Sequence, residues 1–503
     1  MELISNLALG FGVAWLPINL LCALAGCLLG IFFGLLPGLR AVAAMAAMAM
    51  LLPAVQALAP LPALTLLVGL YCGIRYGAAG ADILVNRAAA TPATLGDGYA
   101  MARQGRAGLA LSSATLALFF GACAGTLVWV ALVPVLGKLA LQFGPAEFFA
   151  LLLLGLTGAV VLGSGALLKG LAMAVLGLLL GLVGTDGHSG VVRFAFGVSE
   201  LSDGIGLVVL AMGLFAYGEV ISRLGRVLPV RELLAAPAQS LRPSLQDIKD
   251  IKGMGSALLR GTALGALLGL LPGDGVRLAA LASQALEKKL PGKAGDIPLG
   301  KGNLRGLVAP QAALQAAAQT AFVPLMALGI APNAVLALVL GAMTLHRVTP
   351  GPQLLGSNPQ LFWGLIAAMW TVNLMLLLLN LSLARVWMRL LNLPYRWLFP
   401  AVLLICTIGA YSTRHSSLDV WLVAAFGVVG YVFDKLGMEP APLLLGFVLG
   451  PLMEEQLRQA LSQGDWSSFV TRPVSAGLLL AALVALVLLP ALRSRLRKVA
   501  GQD

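Results

Sequence analysis

Charge is scarce in this chain. Asp, Glu, Lys and Arg make up only 11% of its 503 residues, where a soluble globular domain carries about a quarter. Histidine is scarcer still: His188, His346 and His415 lie far apart, with no HExxH pair, which argues against a metal site. The five cysteines, Cys22, Cys27, Cys72, Cys123 and Cys406, are scattered through apolar sequence without ligand spacing. They read as small buried apolar side chains rather than disulfides or metal ligands. "GALLKG" at Gly165 lacks the rest of a phosphate-binding loop and no Walker motif occurs, which disfavours ATP-driven pumping. No Gly-x-Ser-x-Gly or comparable nucleophile context is present, so neither an enzyme nor a cofactor is expected.

What the chain has instead is apolar length. It is 59% hydrophobic, with a mean hydropathy of +0.94, and its apolar runs are separated by short polar or Pro/Gly punctuation. At about 20 residues per span, these runs predict an all-α polytopic membrane protein with about 10 to 13 membrane segments. The longest runs contain internal Pro and Gly, which predicts broken helices or re-entrant hairpins buried in protein or lining a watery cavity. The start, "MELISNLALGFGVAW", has no basic region or small-residue cleavage pattern, so the first apolar run is expected to stay as a span.

The net charge of +12 would suggest nucleic acid in a soluble protein; here basic cytoplasmic loops explain it better. The most polar interior stretch, Arg223 to Lys252, reads as a central loop. With the terminal "RSRLRKVAGQD" and the Met101–Gly108 loop, it is expected on the cytoplasmic side. Boundaries follow: residues 1–225 as a first membrane repeat, 226–254 as the central loop, 255–475 as a second repeat, and 476–503 as the last span end and basic tail.

The repeat rests on a shared glycine ladder. "GCLLGIFFGLLPG" from Gly26 and "GTALGALLGLLPG" from Gly261 place glycines alike and end in the same Leu-Leu-Pro-Gly. A weaker echo relates "GPAEFFALLLLGLTG" from Gly144 to "NPQLFWGLIAAMWTV" from Asn358. Interrupted segments at corresponding places in two halves point to a transporter's binding region near the midplane. The ladder glycines suit close helix packing. The breaks at Pro37-Gly38 and Pro272-Gly273 free backbone polar groups inside the membrane.

Candidate site residues cluster around these breaks. Arg40 follows the first, facing a cavity or snorkelling to the interface; Asp274 and Arg277 follow the second, contacting substrate or pairing on one short helix. The stretch Tyr71 to Tyr99 sets Arg75, Gly77, Asp82 and Asn86 between apolar runs. Its counterpart carries Gln311, Gln315 and Gln319 at i, i+4 and i+8, one amide stripe on a helix. Such a stripe glues helices together or walls a polar cavity. Asp274 and Asn333 stand as ion-binding or pairing positions.

The motifs "GLLPGL", "DGYAMARQGRAG", "QFGPAEFFALLLLGLT", "LLKGLAMAVLGLLLGLVGTD", "RFAFGVSELSDGI", "LLRGTALGALLGLLPGDG", "PGPQLL", "GPLMEEQLRQAL" and "RPVSAG" run through nearly the whole chain. In them the sequence resembles the large membrane subunit of the tripartite tricarboxylate transporters, the TctA family. The resemblance implies a bacterial inner-membrane importer of carboxylates, coupled to Na⁺ or H⁺. It also implies inverted repeats, a small membrane subunit and a periplasmic solute-binding protein as partners; a homo-oligomer stays open.

This chain departs from the family pattern at both hairpins. Where the family reads Gly-Gly-Ser-Thr-Thr-Ser and then Ile-Leu-Leu-Asn-Ile-Pro-Gly, Gly77 is followed by Ala78, Ala79, Gly80, Ala81 and Asp82, then Ile83 to Asn86, Arg87, Ala88 and Ala89. The family's Ala-Pro-Glu-x-Ala-Asn-Asn stands here as Ala309, Pro310, Gln311, Ala312, Ala313, Leu314 and Gln315, and its Gly-Ile-Pro-Gly-Ser as Gly329 to Asn333. Oxygen ligands suited to Na⁺ are lost. Arginine appears at Arg40, Arg75, Arg87, Arg277 and Arg347, where the family has small or apolar residues. An anion site charged by guanidinium groups is expected. The rival expectation is a non-transporting or regulatory relative with a degenerate site.

Overall fold

A computed structural model describes residues 2–35, 40–84, 95–140, 143–162, 166–224, 254–271, 275–291, 297–348, 351, 354–383, 386, 395–464 and 466–499. The described chain is almost entirely helical. Its first part comprises α1 (Glu2–Ala14), α2 (Pro17–Leu35), α3 (Arg40–Gln56), α4 (Pro60–Leu84), α5 (Leu95–Arg103), α6 (Ala107–Ala140), α7 (Pro145–Leu162) and α8 (Leu167–Gly181). A small hairpin, β1 (Gly184–Thr185) and β2 (Val192–Arg193), leads to α9 (Leu207–Ala211), a π turn at Met212–Tyr217, and α10 (Gly218–Leu224). Then come α11 (Gly255–Leu268), α12 (Gly275–Lys289), α13 (Leu304–Thr320), α14 (Phe322–Leu328), α15 (Ala334–Leu345), α16 (Leu354–Ser357) and α17 (Pro359–Ser382). The last are α18 (Tyr395–Arg414), α19 (Ser417–Leu436), α20 (Ala441–Gln463), α21 (Ser468–Thr471) and α22 (Pro473–Val499).

Among the described residues, five helices are long and apolar enough to cross a membrane: α2, α4, the Ala107–Leu132 part of α6, α17 and α19. Shorter apolar helices, α8, α11 and α15 among them, stand beside them. The result is a polytopic all-α membrane protein.

The glycine ladders set the packing. A Cβ added at Gly26, Gly30 or Gly34 of α2 would lie 2.3, 2.7 and 2.1 Å from the carbonyl oxygens of Leu66, Leu70 and Ile74 on α4. Gly69, Gly73 and Gly77 return the contact against Ala23, Cys27 and Ile31. The two backbones touch, which only glycine allows. In the second half Gly261, Gly265 and Gly269 of α11 meet the carbonyls of Ala309, Ala313 and Ala317 on α13 at 2.2, 2.2 and 2.3 Å. Each ladder therefore joins two parallel helices, with one helix intervening in sequence. Pro37, Gly38, Pro272, Gly273 and Asp274, at the ends of the ladders, lie outside the described residues.

α11 and α12 form a helical hairpin closed where Gly275 packs on Leu268. At its open end Glu287, fully buried, accepts two bonds from Arg260 at 2.8 and 3.0 Å and two from Arg305 of α13 at 3.0 and 2.9 Å. Burial pushes the Glu287 carboxyl up, but the two guanidinium groups outweigh it and hold it below the usual range. Nearby, Asp97 Oδ1 accepts the backbone N–H groups of Gly300, Gly302 and Asn303 at 2.8, 2.9 and 2.8 Å. That binds α5 to the start of α13.

The helices run between two ends of the molecule. One end holds the Asp97 and Glu287 groups, the Ser222–Asp434 bond and the Lys169 contact to the Leu436 carbonyl. The other holds the β hairpin and the Arg472–Glu147 pair at 3.1 Å. The first end carries Arg103, Arg106, Lys288, Lys289, Lys301 and Lys435. At the second, Arg193, Arg414, Arg458 and Arg472 are all bonded to carboxylates or a carbonyl.

Candidate functional site at the crossing of α4 and α13

α4 and α13, the second members of the two ladders, run antiparallel to each other. Near the basic end, Ile83 of α4 and Leu307 of α13 both pack on Gly98. Deeper in, Gln319 Nε2 of α13 donates to Cys72 Sγ of α4 at 3.4 Å. From Ile83 to Cys72 is a helical rise of about 17 Å and from Leu307 to Gln319 about 18 Å. The two helices thus keep company from one end to the middle, where α13 stops at Thr320.

A buried polar cluster forms at that midpoint. Gln319 also donates to Asn373 Oδ1 of α17 at 3.1 Å, and its Oε1 accepts from Thr126 of α6 at 3.4 Å. Gln315, one turn earlier, lies beside Cys72. Both of its amide atoms are buried without a hydrogen-bond partner among the described residues, as are Asn373 Nδ2 and Trp129 Nε1. Native interiors pair such groups, so a cluster of orphans marks a place where something else completes them. An aromatic wall adjoins it: Phe322 meets Tyr71 edge-on at 5.5 Å and stacks on Trp129 at 6.2 Å, and Trp129 meets Phe362 at 5.9 Å.

The charge at this site is Arg75. Its Nη1 donates to the Tyr71 carbonyl at 2.6 Å, and its guanidinium carbon sits 3.9 Å from the Tyr71 ring centroid. The arginine is folded back along its own helix, one turn from Cys72. Asn333 lies beside the Tyr71 hydroxyl, and its Oδ1 caps α15 by accepting from Leu336 N at 3.0 Å. Arg75 of the first half therefore meets Gln315, Gln319 and Asn333 of the second around Tyr71 and Cys72.

The other predicted residues are placed differently. Gln311 is buried one turn before Gln315, toward the basic end, and Asp82 is buried at the C-terminal end of α4. Gly77 serves the α2–α4 contact, where a Cβ would stand 2.1 Å from the Ile31 carbonyl oxygen. Arg277 is exposed on α12. Asn86, Arg87 and the Arg40 side chain lie outside the described residues. Thr126, Asn373, Tyr71 and Trp129 were not singled out by sequence: each is a lone polar or aromatic residue inside an apolar run. Among the described residues no group of three His, Cys, Asp or Glu side chains is arranged to hold a metal ion.

Chemically, the cluster offers neutral donors and acceptors in a water-poor interior, with one guanidinium at its edge. Such groups are suited to binding and orienting a small polar ion; among the described residues no nucleophile and base stand together in it.

The family model described as "Tripartite tricarboxylate transporter TctA family" matches residues 20–445. The chain is 44% identical over 505 residues to an "Uncharacterized 52.8 kDa protein in TAR-I ttuC' 3'region" of Agrobacterium vitis, covering 99% of both chains. It is 48% identical over 243 residues to an "Uncharacterized protein in TAR-II ttuC' 3'region" of the same organism, covering 48% of this chain and all of the relative. No solved structure matches it. With a family model spanning most of its length and a full-length relative of this identity, the chain belongs to the tripartite tricarboxylate transporter TctA family.

Proposed function

We propose that this chain is the membrane subunit of a binding-protein-dependent secondary transporter. It imports an organic anion of the di- or tricarboxylate class by alternating access, coupled to a Na⁺ or H⁺ gradient. The observation that carries the reading is the antiparallel meeting of α4 and α13 at a buried, incompletely bonded polar cluster. Counterpart segments of two halves crossing near mid-depth are how transporters of inverted-repeat design frame one site for two openings.

The packing supports inverted halves, since each ladder is parallel within itself while α4 and α13 oppose each other. It also supports a different pairing from the weak echo between Gly144 and Asn358. α6 lies along α13 through Gly121 and Gly125, as α17 lies along α4 where Gly364 meets Leu61, so α6 is the better counterpart of α17. The basic end is read as cytoplasmic, in the bacterial inner membrane. A small membrane subunit and a soluble solute-binding protein complete the system in this reading.

One observation favours the rival, a non-transporting relative: among the described residues, the α4–α13 midpoint holds no carboxylate to ligate a cation. Proteoliposomes with an imposed Na⁺ or H⁺ gradient, supplied with labelled di- and tricarboxylates and the two partner components, separate the readings. Gradient-driven accumulation of any one substrate is expected; none with any gradient sinks the transport reading.

A further inference from the structure

The connection between α8 and α9 is a built structure. β1 and β2 pair antiparallel, Gly184 opposite Arg193 and Thr185 opposite Val192. Asp186 Oδ2 receives Arg193 at 2.5 Å, Arg458 at 3.1 Å and the Ser189 hydroxyl at 2.5 Å. Glu454 of α20 closes the group, accepting from Arg193 at 2.9 Å and Arg458 at 2.6 Å. The Thr185 hydroxyl donates to the Ser202 carbonyl at 2.9 Å, and Arg414 of α18 donates to the Gly204 carbonyl at 2.8 Å. These charges are paired with one another, and with the Arg414 bond they fix the hairpin to α18 and α20.

The segment also presents large apolar side chains outward. Val191, Val192, Phe194, Phe196 and Val198 are exposed, Phe196 to 87%. Phe194 and Phe196 have φ values of 53° and 48°, a left-handed region that bulky side chains enter only at a cost. A bilayer would take these side chains from any backbone conformation. A protein partner must find them at fixed positions, and a backbone pinned in a costly conformation supplies that preorganisation. Exposed Glu200 and Asp203 border the patch, and exposed Glu455 stands next to Glu454 on α20. An apolar patch with an acidic rim is complementary to an apolar face ringed by Lys and Arg.

We propose that this hairpin is the docking site of the soluble, solute-delivering component, whose docking face is apolar with a basic rim. The proposal rests on the binding-protein-dependent reading above, and it fits the hairpin's place at the end of the molecule away from the basic surface. The test measures the concentration of that system's purified soluble component giving half-maximal uptake into proteoliposomes that hold the membrane subunits. Phe194→Asn with Phe196→Asn changes the surface but keeps a residue that tolerates left-handed φ. For this variant, with an unchanged melting temperature, that concentration rises about tenfold or more, as for loss of interface anchors. Glu200→Lys with Asp203→Lys raises it too, and the increase shrinks at high salt.

Equal half-maximal concentrations for wild type and the Phe variant overturn the docking site and leave the delivery reading intact. Wild-type uptake that ignores the soluble component ends the delivery reading, and this inference with it. Quenching of Phe196→Trp emission by brominated lipid, with uptake unchanged, assigns the patch to the bilayer and also overturns the proposal.

Discussion

Gln315 and Gln319 lie one turn apart on the same buried face of α13, yet replacing each by leucine should move stability in opposite directions. Both atoms of the Gln315 amide are buried without a hydrogen-bond partner among the described residues; an unsatisfied buried group costs about 1–3 kcal/mol. Gln315→Leu removes that cost at similar volume and should stabilise the protein by about 2 kcal/mol. Gln319 instead bonds to Asn373, Cys72 and Thr126. Gln319→Leu strands Asn373 Oδ1 and should destabilise by about 1–2 kcal/mol. With an unfolding entropy of about 2.1 cal/mol/K per residue, a chain of this length shifts by about 1 °C per kcal/mol. The two variants should therefore separate by about 3–4 °C in a fluorescence melt in detergent. Uptake into proteoliposomes supplies the second readout: a functional orphan amide predicts that the more stable Gln315→Leu loses transport. If Gln315→Leu melts below wild type and transports normally, the reading of the cluster as an incomplete site is wrong.

Other consequences are simpler. Glu287→Gln leaves the partly exposed Arg260 and the mostly buried Arg305 facing a neutral group and should cost about 1–3 kcal/mol, read as a lower melting temperature at pH 7. Because the folded Glu287 carboxyl is held below its usual range, its stabilisation is full above the unfolded carboxylate pKa and fades as pH falls through the folded one. Glu287→Gln should thus approach wild type in acid-side melts. At Asp97, burial pushes the carboxyl up, against three backbone N–H bonds. Its contribution is full below the unfolded pKa and declines as pH rises through the folded one. Asp97→Asn, which keeps an acceptor, should stay within about 1 kcal/mol of wild type, whereas Asp97→Ala should lose about 2–3 kcal/mol. In α4, Gly77→Ala should destabilise by about 1–3 kcal/mol, since the Ile31 carbonyl fills the space. Gly80→Ala, whose new methyl meets among the described residues only Leu35 and Leu111, at 3.8 and 3.9 Å, should be neutral or slightly stabilising in the same melt.

The glycine ladders and the amide stripe were legible because periodicity exposes them: glycines four apart must share a face, and so must glutamines four apart. Their partners were not. Cys72, Thr126 and Asn373 are single polar residues on three other helices, and only the crossing of α4, α6, α13 and α17 brings them to Gln319. Arg75 was legible as an unusual charge, but its return onto Tyr71 depends on side-chain geometry that spacing does not reveal. Asn333 read as an ion or pairing position, while in the structure its Oδ1 caps α15. Asp97 and Glu287 carry no sequence signal, because what makes them structural is burial by segments about 200 and 20 residues away. The hairpin after α8 was legible only as a shared motif; its anchoring comes from Glu454 and Arg458 on α20.

The most direct test of a transport site at the α4–α13 crossing is chemical access to Cys72. A variant with Cys22, Cys27, Cys123 and Cys406 replaced by Ala leaves one thiol, which is fully buried in this conformation. In proteoliposomes, N-ethylmaleimide labelling of Cys72 should be slow at rest. It should accelerate when the driving gradient is imposed, and be blocked by the carboxylate that is taken up. Labelling that never occurs, or that ignores both gradient and substrate while uptake proceeds, would contradict the account.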